Sequence, residues 1–235
     1  MEIASDMARA VRQTLESLHR AGVTHLNMTA GAIDLPPPAP APPPNGKLHE
    51  LQVLQAEVAD CTRCSELAQT RTQTVFGVGN PNARLVFLGE APGGDEDRQG
   101  EPFVGRAGQL LNDIITKGMK LRREDVYILN VLKCRPPNNR TPAPNEVINC
   151  RGFLDRQLAI LQPEFICCLG SVAAKTLLDT DVSIGRLRGK FHDYRDIPVL
   201  CTYHPAYLLR NPAAKKEVWE DIQILMKRMS LSPSG

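Results

Sequence analysis

Leu85-Val86-Phe87-Leu88-Gly89-Glu90-Ala91-Pro92-Gly93-Gly94 sets an unbroken apolar run directly against a carboxylate and a proline flanked by glycines. A short apolar run ending in such a turn is the pattern of a strand buried on both faces, with a functional loop at its carboxyl end. The same pattern recurs at Val126–Leu132, Phe165–Leu169 and Ile197–Tyr203. Between and around these runs, helical periodicity marks residues 48–59, 105–118, 145–161, 171–178 and 213–229. Strands alternating with amphipathic helices predict an α/β protein with a parallel sheet covered on both faces, a three-layer α/β/α arrangement. In such sheets ligands bind at the carboxyl ends of the strands.

The polar motifs sit there. Residues 89–108 carry Glu90 at the strand end, Phe103 between Pro102 and Val104, and Gly105 and Gly108 opening a helix. The stretch lacks both the Lys-Ser/Thr ending of a P-loop and the G-x-G-x-x-G of a dinucleotide fold. A ring and a carboxylate suit a planar ligand and a proton or water. Asn130 lies toward the end of the second apolar run, and its side chain offers an acceptor and donors in one plane, matching a nucleobase or amide edge. After the last run comes His204-Pro205-Ala206-Tyr207-Leu208-Leu209-Arg210, where apolar residues beside an arginine suit insertion into a base stack. Asp95, Glu96 and Asp97 read as a solvated acidic turn.

Seven cysteines divide into two groups. Cys167, Cys168 and Cys201 lie in apolar runs and read as core thiols. Cys61 and Cys64 form a C-x-x-C, and Cys134 and Cys150 lie far along the chain, each beside charged or amide side chains. Four such thiols suit a metal or iron–sulfur site; a single C-x-x-C favours the cluster over zinc, which usually takes two closely spaced pairs. An odd cysteine count, with some in buried-looking strands, does not suit a disulfide framework, so a reducing, cytoplasmic compartment is expected. No signal-like start or membrane-length apolar stretch occurs in the sequence. Net charge is only +2, so contact with a polyanion would have to come from local basic clusters.

Ile3, Met7, Val11, Leu15 and Leu18 form one helical stripe within residues 1–34, a surface for a protein partner or for the chain's own domain. Residues 35–46 are proline-rich and read as a semi-rigid linker. Residues 47–235 form the expected domain, and the protein is expected to be a monomer.

The Gly-Glu-Ala-Pro-Gly loop, Pro-Phe-Val-Gly-Arg-Ala-Gly, Asn-Val-Leu-Lys-Cys-Arg-Pro-Pro, His-Pro-Ala-Tyr-Leu-Leu-Arg and the cysteine spacing together resemble the family 4 uracil-DNA glycosylases, over roughly residues 48–229. The resemblance implies a four-stranded parallel sheet and hydrolysis of the N-glycosidic bond of deoxyuridine in single- or double-stranded DNA, starting base excision repair. It implies a 4Fe-4S cluster on Cys61, Cys64, Cys134 and Cys150. It also implies that Phe103 stacks on the flipped base, Asn130 reads the uracil edge, Glu90, Ala91 and Pro92 frame the pocket, and His204 stabilises the leaving uracil anion. Glu90 is the candidate for orienting water, although the family 1 enzymes place an aspartate where Ala91 stands. Tyr207, Leu208 and Leu209 are placed to fill the gap in the stack, and Arg106, Lys133 and Arg210 to hold phosphates. Two rivals are a relative that traps uracil-DNA covalently and a module that only binds nucleic acid. The first has glutamine after Gly-Glu and a histidine in an inserted basic loop, whereas this chain has Ala91 and no histidine between Arg135 and Pro142.

Overall fold

The computed structural model describes residues 46–231, so the N-terminal helix and all but the end of the linker expected above lie outside the described residues. The sheet has six strands in the order β1-β3-β2-β4-β6-β5: β1 Val78–Gly79, β2 Leu85–Gly89, β3 Tyr127–Asn130, β4 Phe165–Leu169, β5 Phe191–Tyr194 and β6 Ile197–Thr202. The four expected strands, β3-β2-β4-β6, are all parallel, and the two additional ones pair antiparallel at the edges. The edge strands lack an apolar run: β1 is two residues long, and β5 is Phe-His-Asp-Tyr, with two residues half-buried, one exposed and only Tyr194 buried.

The helices are α1 Gly46–Ala59, α2 Ser65–Thr70, α3 Gly94–Gln99, α4 Arg106–Asp113, α5 Pro144–Leu161, α6 Ser171–Leu178, α7 Ile184–Leu187, α8 Pro205–Arg210 and α9 Lys215–Arg228. Alternation along the central strands sorts the core into two faces. Val86, Leu88, Ile166 and Cys168 meet α1, α5 and α6, while Leu85, Phe87, Phe165 and Cys167 meet α4 and α9. This is the three-layer arrangement, with Cys167, Cys168 and Cys201 fully buried in its middle layer.

The chain leaves β2 for β3 on one side and then crosses to β4 on the other, so a crevice opens at the carboxyl ends of the central strands. Register matters most at Gly89, which pairs with Asn130 and brings Glu90 beside the end of β3. Backbone pairing continues one step further through Val131 N–H to Gly89 O and Leu132 N–H to Glu90 O, both 3.0 Å.

Candidate active site

A cavity of about 470 Å³ lies at that crevice. Glu90, Ala91, Pro92, Phe103, Asn130, His204, Tyr207 and Arg210 all line it, drawn together from segments more than a hundred residues apart. Asn130 is buried, and its Oδ1 has no hydrogen-bond partner among the described residues. A buried acceptor left unpaired is costly, so this atom is available to accept from a donor that enters the cavity. Phe103 is buried with its ring stacked on His204 at 5.5 Å between centroids. Its φ of 55° is a conformation few non-glycine residues adopt, so the surroundings must hold it there. Gly108 permits the close approach, since a Cβ at that position would stand 1.9 Å from the Phe103 carbonyl oxygen.

His204 caps the N-terminus of α8, where its Nδ1 accepts from the Ala206 N–H at 3.1 Å. Burial, with the Arg210 charge adding to it, depresses its pKa to about 4. The ring is therefore neutral at ordinary pH, and with Nδ1 accepting, the proton sits on Nε2, a donor. Glu90 is half-buried, and loss of hydration raises its carboxyl above the usual range.

Three expected assignments change. Lys133 is buried with its ammonium donating to the Asn130 carbonyl at 2.7 Å, so it is not available to a phosphate. Leu208 packs into the core beneath α8, leaving only Tyr207 and Leu209 exposed; one turn of helix cannot point three successive residues outward. The acidic turn is not a solvated one. Asp97 is buried and accepts from the Thr72 N–H, and Glu96 accepts from three backbone N–H groups. Arg106 is exposed on the first turn of α4 and does not line the cavity.

Sequence inspection missed Glu96, Asn139 and Arg140, which also line the cavity. Arg140 is gripped by Glu146 at 2.7 and 2.9 Å and by Glu66 at 2.7 Å, and these carboxylates raise its pKa further. Only the spacing Ala143-Pro144-Asn145-Glu146, a helix start with an acid at its third position, hinted at this anchor.

Cys61, Cys64, Cys134 and Cys150 line a second concavity, with Arg63, Arg71, Lys133 and Asn149 around them. Arg71 donates to Cys134 Sγ at 3.0 Å and Asn149 to Cys64 Sγ at 3.5 Å. Burial pushes the Cys150 thiol up to about 11 and raises Cys134. Among the described residues no three His, Cys, Asp or Glu side chains close on a point where one metal ion would sit. The four thiols instead surround a space with cations beside it, a donor set that fits a sulfur-ligated polynuclear group.

The fold and its cavity define an α/β protein whose aromatic ring, buried amide and histidine converge at the carboxyl ends of the central parallel strands. Residues 76–223 match the family model of the uracil DNA glycosylase superfamily. The chain is 45% identical over 184 residues to a type-4 uracil-DNA glycosylase of Archaeoglobus fulgidus, covering 75% of this chain and 92% of that one. It is 46% identical over 177 residues to the type-4 uracil-DNA glycosylase of Thermotoga maritima, covering 74% and 91%. A type-5 uracil-DNA glycosylase of Pyrobaculum aerophilum is 28% identical over 184 residues, covering 64% and 80%. The chain belongs to the uracil-DNA glycosylase superfamily, in its type-4 group.

Proposed function

We propose that the protein hydrolyses the N-glycosidic bond of deoxyuridine in DNA, releasing uracil and leaving an abasic site at which repair begins. The observation that carries this is the unpaired, buried Oδ1 of Asn130 in a cavity walled by an aromatic ring and a neutral histidine donor.

A base inside a duplex cannot reach such a cavity, so the nucleotide must leave the stack, at a cost that is smaller when the base is mispaired or single-stranded. Once inside, the uracil ring lies against Phe103. Asn130 Oδ1 accepts from uracil N3–H and its amide donates to O4. Cytosine offers an acceptor at N3 and a donor at C4, so both bonds would be replaced by unpaired or repelling groups, and such mismatches give strong rejection. Uracil departs as an anion. The His204 Nε2–H donates to O2, because the Ala206 N–H holds Nδ1 as the acceptor and leaves the neutral ring's one proton on Nε2. A sugar transition state with oxocarbenium character needs a well-placed water more than a strong base. Glu90, at the cavity rim, orients that water. Tyr207 and Leu209 fill the vacated stack, and Arg210 and Arg106 hold the flanking phosphates.

Cys61, Cys64, Cys134 and Cys150 would hold a 4Fe-4S cluster, which supplies a cross-link between the segment after α1, the loop after Asn130 and α5. That loop positions Asn130 and Lys133, so the tie stiffens the uracil-reading edge. Cysteines that serve as core thiols or cluster ligands suit a reducing, cytoplasmic compartment. No described helix is long and apolar enough to cross a membrane.

The test is incubation of the purified protein with an oligonucleotide bearing one deoxyuridine, followed by alkali. Strand cleavage at that position, absent from a thymidine control, is expected; a denaturation-resistant adduct or no release would overturn the assignment.

A further inference from the structure

Glu96 stands in an acidic turn, yet both of its carboxylate oxygens are occupied by backbone. Oε2 accepts from Gly93 N–H at 3.1 Å, and Oε1 accepts from Val104 N–H at 3.0 Å and Gly105 N–H at 2.9 Å. One side chain thus joins the Ala91-Pro92-Gly93 wall of the cavity to the segment immediately following Phe103. Charge-assisted bonds of this kind are stronger than neutral ones. Gly93 makes room for the carboxylate: a Cβ there would stand 2.7 Å from Oε2.

The segment so held is one that needs holding. Phe103 adopts φ 55°, which costs energy unless neighbours impose it. Besides Glu96, the restraints include Arg123, which donates to Pro102 O at 2.6 Å, the close fit of Gly108 and the stacking of the ring on His204. With three N–H groups already bound, Glu96 has little capacity left to handle a water or a proton, although it lines the cavity.

We propose that Glu96 is a positioning residue that acts through Phe103: it clamps the two loops so that the ring faces the base, and thereby sets affinity for uracil rather than affinity for DNA. This rests on the assignment of Phe103 as the stacking surface.

The experiment is a double-mutant cycle of Glu96→Ala and Phe103→Ala in the full chain, with Glu96→Gln alongside. Two quantities are read: the inhibition constant of free uracil, and the dissociation constant for an oligonucleotide already carrying an abasic site. Phe103→Ala and Glu96→Ala are each expected to weaken uracil inhibition about tenfold, within the range that loss of base–aromatic stacking produces. The double variant should be no worse than Phe103→Ala by more than about twofold, because both changes remove the same contact. Abasic-DNA affinity should stay within about twofold, which a general collapse of this face would not allow. Glu96→Gln keeps an acceptor for Val104 and Gly105 and should restore most of the uracil affinity. If Phe103→Ala alone leaves uracil inhibition unchanged, the stacking assignment falls and this proposal with it. If Phe103→Ala weakens inhibition but Glu96→Ala does not, or if the two effects multiply, the proposal alone is overturned.

Discussion

Gly89 and Asn130 face each other at the ends of adjacent parallel strands, and a Cβ on Gly89 would stand 2.3 Å from Asn130 Oδ1 and 2.6 Å from the Phe103 ring. The missing side chain is what lets the amide and the ring share one small volume. Strand register delivers the pair; glycine lets them close on a common ligand.

Asn130→Asp tests how the edge is read. A carboxylate cannot donate to uracil O4 but can accept from the cytosine amine. We expect kcat/KM on deoxyuridine to fall at least a hundredfold, in line with loss of a buried polar pairing, and the preference over deoxycytidine to shrink. Paired kcat/KM measurements on both substrates decide it; an unchanged ratio would remove Asn130 from its role.

His204 makes the pH dependence specific. Its folded pKa of about 4 lies below the ordinary histidine value, so between the two the unfolded chain binds a proton that the folded chain refuses. Stability attributable to this ring is therefore full above about pH 6.5 and is lost as pH falls toward 4. The ring resonances in an NMR titration should move with a midpoint near 4. A midpoint near 6.5 would mean the ring is hydrated and charged at mild acidity, and the neutral-donor role would fail.

Lys133 and Arg210 separate burial from electrostatics. Arg210 is exposed at the cavity rim, whereas the Lys133 ammonium is buried on Asn130 O. Arg210→Ala should reduce the slope of log affinity for DNA against log salt by about 1, and Lys133→Met should leave that slope unchanged while lowering thermal stability. Equal slope changes from both would place Lys133 on the DNA.

Cys134→Ala addresses the thiol centre. Purified wild-type protein should show the broad visible absorption of an iron–sulfur cluster and the variant should not, with a loss of several degrees in Tm. Full colour and an unchanged Tm in the variant would remove Cys134 from the ligand set.

The sequence by itself determined the parallel core. Four short apolar runs, bounded by turns and alternating with amphipathic helices, read as strands buried on both faces, and the residues at their carboxyl ends, Glu90, Asn130 and His204, gather at one end of such a sheet. The edge strands were not legible, because Val78–Gly79 and Phe191–Tyr194 are held by neighbours rather than by their own hydrophobicity. Nor was the fate of individual polar groups: Glu96 reads as one acid among three, and Lys133 as one cation in a basic cluster. Whether a charge meets water, a phosphate or a backbone group depends on how the packed chain turns and buries it, even where the partner is as near in sequence as Asn130 is to Lys133. Only the tertiary structure places the Asn130 carbonyl beneath Lys133 and the Val104 and Gly105 N–H groups above Glu96. Burial pattern is a local property of the chain, but hydrogen-bond partnership is a property of the packed whole.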